Sequence, residues 1–287
     1  MTIATTEEVL AAEWLALRRH FDDQARNPGL LQQLVDYAKT NALRCVADLG
    51  TGTGNHARFL QRHLRPHLDD IDLHLVEQHP QLLAMALSTV NPEEVHSAGT
   101  MRVHAHHCDM HRWLSSNRGD IPVDLVTHNA LLDLLTQNEL QGLVRYLANA
   151  QVAMYSTLNY QSVQLLPEHP QDTFIIALFE QHMCRNLDRG RPLGPSVDQS
   201  LRALLSDEQS LSLVAARSDW KAGTENREFI SRNLDFYESG ARATASSAAE
   251  RASVTAWAAH RHSALHLGKL QLVVRHVDYL ILPVDGS

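Results

Sequence analysis

A chain of 287 residues is long enough for one large domain or two small ones, and a hydrophobic content of 44% supplies a core that needs no staples. Three cysteines, at 45, 108 and 184, form no C-x-x-C pair and no disulfide framework, which points to a reducing compartment. A net charge of −8 gives no overall electrostatic footprint for nucleic acid, and the early acids and the lack of an apolar run near membrane-spanning length argue against a secretory leader or a bilayer span. The expectation is a cytoplasmic protein with a small-molecule partner.

Residues 7 to 39 read as two helices: Val9, Leu10, Trp14, Leu15 and Leu17, then Leu30, Leu31, Leu34 and Val35, recur at spacings of three and four, with RNPG at 26 to 29 as the break. From residue 45, β-type runs alternate with helical ones. CVADL leads to NHARFLQRHL, IDLHLVE to PQLLAMALSTV, MRVHAHHCD to MHRWLSS, and VDLVTHN to NELQGLVRYLANA, after which VAMYSTLNY opens the second half. Such alternation is the signature of βαβ units, so the expected fold class is α/β, a doubly wound, mostly parallel sheet. Beyond residue 160, IIALFEQHMCRN, DQSLRALLSDEQ and the regions 226 to 239 and 248 to 266 read as helical, and SLVAARSDW and KLQLVVRHVDYLILP as strands. The predicted organisation is an N-terminal helical region, 1–43, and one domain, 44–287, with a cofactor half at 44–160 and an acceptor-shaping half at 161–287 that includes an insertion after the fifth strand.

The most informative stretch is VADLGTGTGN, residues 46 to 55. A strand, a glycine turn and a helix make a nucleotide-sized niche, because glycines allow close backbone approach and the helix start offers unpaired N–H groups. Gly50, Gly52 and Gly54 give G-x-G-x-G, with Asn55 where the dinucleotide fingerprint asks for its third glycine. Asp48 at the strand exit repels a pyrophosphate and suits a cationic group. Glu77 ends the next strand, where doubly wound folds place a carboxylate that accepts from ribose hydroxyls. Adenosine is implied, and diphosphate is not.

These residues resemble the class I S-adenosylmethionine-dependent methyltransferase family, with VADLGTGTGN as its first motif, Glu77 as the acid of its second, HHCDMHRWL (106 to 114) as its strand-three segment and VDLVTHNALLDLL (123 to 135) as its strand four. The resemblance implies S-adenosyl-L-methionine as cofactor. It places Gly50, Thr51, Gly52 and Gly54 against the methionyl and ribose portions, Asp48 on the amine side, Glu77 on the ribose, Gln78, Asp109 and Met110 around the adenine, and Asn129 at the edge of the pocket.

On the acceptor side, His128 ends the fourth strand at the carboxyl edge where open α/β sheets bind ligands, and it is a candidate catalytic residue together with His182. Asp133 is a candidate for substrate binding, as are Arg185 and Arg189 in FEQHMCRNLDRGRPLGP, a segment suited to recognise an acidic or polar acceptor. Each has a plainer reading: a core histidine, a capping acid, a solvated helix. Trp14, Arg18 and Phe21 are placed to close over the cofactor or simply to pack. His104, His106 and Cys108 alternate along a strand, yet the spacings of a closed zinc site are missing and no metal is expected. There is no Walker loop, and the Asn/Asp-Pro-Pro-Tyr motif of amino-group methylation is absent from THNALLDL. Methyl transfer to a small molecule, with oxygen favoured over nitrogen or carbon, is therefore the leading expectation. An RNA or other nucleic-acid methyltransferase, an NAD(P)-dependent oxidoreductase and a cofactor-binding protein without catalysis stay open, and a homodimer is compatible with the sequence.

Overall fold

The computed structural model describes residues 6–90, 99–116 and 121–284; the side chains of Val9 and Leu10 lie outside what is described. In chain order it has α1 (Thr6–Ala25), α2 (Pro28–Thr40), β1 (Cys45–Leu49), α3 (Asn55–Leu64), β2 (Ile71–Glu77), α4 (Pro80–Thr89), β3 (Met101–His107), α5 (Met110–Ser116), β4 (Leu125–Asn129), α6 (Gln137–Ala150) and β5 (Ala153–Leu166). Then come α7 (Asp172–Met183), α8 (Val197–Ser206), β6 (Leu211–Arg217), β7 (Trp220–Ala222), α9 (Arg227–Thr244), α10 (Ala248–His266) and β8 (Gln271–Pro283).

Among the described residues the strands form one sheet in the order β3-β2-β1-β4-β5-β8-β6, with β7 also paired to β8. β1 to β5 are parallel to one another, whereas β8 runs antiparallel to β5, β6 and β7. This is the doubly wound, mostly parallel α/β sheet expected from the alternation. β1 is buried at all five positions, as a central parallel strand covered on both faces must be. β3, at the edge, alternates instead and holds Asp72 of β2 through the Arg102 guanidinium at 2.6 Å.

Three apolar cores follow from this layout. One lies between the sheet and α2, α3 and α4, with Leu34, Leu60 and Leu75 at its centre. A second lies on the other face under α5, α6 and α8, around Leu49, Leu140 and Leu201. The third is outside the sheet proper: β5 and β8, 14 and 13 residues long, run past their parallel neighbours and carry α1, α7, α9 and α10 on the overhang. The sequence anticipated the helix after the fifth strand. It did not separate out the second insertion, α9 and α10 between β7 and β8, which packs on α7 to complete the cap. α10 begins with a capping box, Ser247 and Glu250 each satisfying the other's backbone N–H, so the small-residue stretch 240 to 253 is two helices and a sharp turn. The run read as SLVAARSDW divides at Ser218, and KLQLVVRHVDYLILP is one continuous strand. No described helix is long and apolar enough to cross a membrane.

Candidate active site

The loop between β1 and α3 turns on three glycines in the left-handed region, Gly50 (φ 63°), Gly52 (φ 56°) and Gly54 (φ 82°). Gly54 has a packing reason as well, since a Cβ there would sit 2.8 Å from the Ala86 backbone of α4. Two carboxylates hold this loop. Glu77, at the tip of β2, accepts from the Gly52 N–H at 2.9 Å and from the His79 N–H at 3.0 Å. Asp48, at the tip of β1, accepts from the Thr51 hydroxyl at 2.5 Å through Oδ2, while its Oδ1 is buried without a partner. Burial pushes the Asp48 carboxyl up to about 7; the Thr51 hydroxyl and the Arg26 guanidinium oppose the rise and the Glu77 charge adds to it. Beneath the loop, His56 Nε2 pairs with the Thr127 hydroxyl at 2.7 Å, and burial drives this imidazole well below its ordinary range.

α1 lies across the same loop. Leu15 Cδ1 stands 3.1 Å from where a Gly52 Cβ would be, and the Asn55 side chain donates to the Leu15 carbonyl at 3.0 Å. Two turns on, Asp22 Oδ2 accepts from Arg18 Nε and from Asn129 Nδ2, both at 3.0 Å. Asn129 therefore ties the end of β4 to α1, and its carbonyl oxygen accepts from the Thr157 hydroxyl at 2.7 Å.

Next to the loop, beyond the end of β4 and over the extended parts of β5 and β8, α1, α7 and α9 flank a cavity of about 380 Å³. Trp14, Trp220 and Phe236 form much of its wall, with Trp14 edge-on to Phe236 at 4.9 Å and to Trp220 at 6.0 Å. Asp133, Arg18 and His182 bring polar groups to it. Ala130 and Leu158, both on the lining, adopt left-handed φ of 52° and 57°, a conformation that strains non-glycine residues by roughly 1–3 kcal/mol each and that clusters at functional sites. The Leu158 strain is held by Asp278, whose carboxylate accepts from the Leu158 N–H at 2.8 Å and the Asn27 N–H at 2.9 Å.

The sequence-predicted residues divide accordingly. Asp48, Gly50, Thr51, Gly52, Gly54 and Glu77 are together at the loop. Gln78 is exposed beside them, its side chain near His79 at 3.3 Å. Asp109 caps α5, accepting from the His111 and Arg112 N–H groups at 2.9 Å, and Met110 is buried in the core under that helix. His182 and Asp133 share the cavity. Burial, then Arg185, lowers the His182 imidazole, and burial raises the Asp133 carboxyl to about 6 against the Asp133 and Tyr160 backbone N–H groups and Arg18. Arg185 is exposed and donates to the His182 carbonyl; Arg189 donates to the Leu134 carbonyl at 3.0 Å, and neither lines the cavity.

His128 is placed differently from its expected acceptor-side role. Its side chain is fully buried, does not line the cavity, has no partner at either ring nitrogen, and is held at about 3 by burial. Strand alternation is the reason: Thr127 faces the polar seam under the loop, so its neighbour His128 turns to the opposite face of the sheet. The histidines of β2 and β3 meet each other, His74 Nδ1 with His106 Nε2 at 2.8 Å and His104 with Asp72 at 2.8 Å. Sequence reasoning missed Tyr160, Trp220, Phe236 and Tyr237, although the last two recur with Phe229 and Asn233 at helical spacing.

No family model matches the chain, and no curated protein matches it. Among solved structures it is similar to the O-methyltransferase TomG of Streptomyces achromogenes in complex with SAM, at 12% identity over 99% of this chain and 92% of that one, with a TM-score of 0.46. An O-methyltransferase from Bacillus cereus in complex with SAH gives 10% identity over 99% and 94%, TM-score 0.46. A putative sarcosine dimethylglycine methyltransferase from Galdieria sulphuraria gives 14% over 96% and 86%, TM-score 0.42. With TM-scores below 0.5, none of these likenesses bears on the chemistry of the site.

Proposed function

We propose that the chain is an S-adenosylmethionine-dependent methyltransferase of the cytoplasm that methylates a small molecule, with oxygen as the favoured acceptor atom. One observation carries the reading: among the described residues a wholly buried carboxylate, Asp48, has an orphaned oxygen and no ion pair, and stands beside a glycine loop braced by a second carboxylate, Glu77. A buried acid that Arg26 reaches only at a distance, with no direct ion pair, is destabilised in its ionised form unless a ligand supplies a closer positive charge. S-adenosylmethionine carries an ammonium and a sulfonium together with a ribose diol.

When bound, this cofactor supplies an electrophilic methyl group whose leaving group is a neutral thioether. Asp48 would hold its cationic end. Glu77 has used one acceptor site on each oxygen for the loop and retains capacity for ribose hydroxyls. The glycines permit close approach once Leu15 moves off Gly52. Asn129, by binding Asp22, links that movement of α1 to the end of β4. The chain's own contribution to the reaction is then placement of the acceptor in the neighbouring cavity and removal of its proton, since methyl transfer needs alignment and little else.

Two readings fall behind it. A nicotinamide dinucleotide needs the third glycine, which is Asn55, and would bring its pyrophosphate against the Asp48 and Glu77 carboxylates. A nucleic-acid substrate finds no support in a net charge of −8. Calorimetric titration with S-adenosylhomocysteine and with NAD tests the proposal. Binding of the first, weakened in Asp48→Asn and Glu77→Gln variants that remain folded, is the expected result; binding of NAD alone contradicts it.

A further inference from the structure

The cavity beside the loop is more specific than its aromatic walls alone suggest. Two polar atoms on its lining residues, Asp133 Oδ1 and Trp220 Nε1, are buried with no hydrogen-bond partner, and the residues themselves are only 6% and 5% exposed. An unpaired buried polar atom costs about 1–3 kcal/mol, so an acceptor and a donor left unpaired just under the lining of one cavity favour a ligand that, on a small shift of the two side chains, meets them with the reverse pattern. Arg18 completes the description. Its guanidinium stands 5.4 Å from the Trp220 ring centre, where it occupies the cation-binding face and sets a permanent positive charge on the wall, offset in part by Asp22. That arrangement disfavours an ammonium ligand in the aromatic enclosure and favours one that develops negative charge.

We propose that this cavity seats a planar aromatic acceptor carrying a hydroxyl and a second oxygen, with the hydroxyl on Asp133, the second oxygen on the Trp220 N–H, and Asp133 serving as the base. The reaction step rests on the methyl-transfer reading; the binding preference rests on the cavity alone. The ring lies among Trp14, Trp220 and Phe236, in a volume at the small end of the roughly 300–1,000 Å³ typical of small-molecule sites. In the step, the acceptor's O–H bond breaks and its proton passes to Asp133 Oδ1. The oxygen's electron pair forms the new bond to the methyl carbon, the carbon–sulfur pair stays with sulfur, and Arg18 offsets the charge that builds on oxygen. The products are an aryl methyl ether, a neutral thioether and protonated Asp133. His182, half-buried on the cavity wall, takes no part in the step.

The test is a titration of the full chain with 7-hydroxycoumarin, 7-methoxycoumarin, coumarin and choline, followed by quenching of tryptophan emission. The hydroxyl compound is expected to bind roughly tenfold or more tighter than the methoxy and unsubstituted compounds, the size of a hydrogen bond to a charged group, and choline not to bind. Asp133→Asn should erase that preference, His182→Gln should keep it, and Phe236→Leu should weaken all three coumarins alike. Equal binding of the three coumarins by the unaltered chain, tighter binding of choline, or a preference that survives in Asp133→Asn overturns the proposal, and the first two comparisons need no variant to fold. Separate calorimetry with S-adenosylhomocysteine keeps the two readings apart: its failure with the hydroxyl preference intact refutes the cofactor assignment only, and the reverse refutes the acceptor assignment only.

Discussion

A buried carboxylate that meets its counterion only in the ligand should lose its proton as the ligand binds. Free Asp48 is held at about 7 by burial, with Arg26, Thr51 and Glu77 the groups that act on it. If a cationic ligand fixes it in the ionised form, binding releases ~0.9 proton at pH 6 and ~0.1 at pH 8, and affinity falls about tenfold between pH 8 and pH 6. Calorimetric titration of S-adenosylhomocysteine at the two pH values, in buffers of different ionisation enthalpy, counts that proton directly. Asp48→Asn should show no release and a flat affinity profile. The same shift has a stability consequence of known sign. Because the folded value lies above the ordinary 3.8, the contribution is fully present below that pH and is lost as pH rises through about 7. At pH 8 the Asn variant should thus be more stable without ligand, by at most about 4 kcal/mol. A proton count near zero at pH 6, together with an affinity indifferent to pH, refutes the reasoning.

Three further outcomes follow from other parts of the molecule. Leu15→Ala should speed S-adenosylhomocysteine binding in stopped flow, because the side chain that covers Gly52 is gone, and an unchanged association rate would show that α1 does not guard the loop. His128→Leu should leave methyl transfer intact and flatten acid sensitivity. Its imidazole is depressed to about 3, so its contribution to stability is present above about 6.5 and is lost as pH falls; at pH 5 the unaltered chain should pay about 2 kcal/mol relative to neutral pH that the variant does not, as read by urea unfolding. Asp172→Ala should destabilise the cap by about 3–5 kcal/mol, since Arg261, whose side chain is 1% exposed, would lose its carboxylate and Trp257 Nε1 its acceptor; a loss under 1 kcal/mol in chemical denaturation would contradict this.

Part of this architecture was readable in advance because it is local. The glycine loop, Asp48 and the strand–helix alternation are set by neighbours in sequence, and Glu77 follows one βαβ step later at the tip of the paired strand, so DLGTGTG and Glu77 located the loop. The cavity was not readable because its wall is assembled from Trp14, Tyr160, Trp220 and Phe236, which only the overhang of β5 and β8 brings together. His128 lies away from the cavity: a position at a strand end says where along the sheet a residue lies and not which face it takes. Asp109 shows a different ambiguity, since an acid after a strand is also what a helix start demands, and here it caps α5.

The most direct measurement is a crystal structure of the chain grown with S-adenosylhomocysteine. The account expects the amino end of that molecule against Asp48, its ribose hydroxyls on Glu77, and Leu15 displaced from Gly52. Density for the nucleoside elsewhere, or a loop closed under Leu15 at saturating ligand, would contradict it.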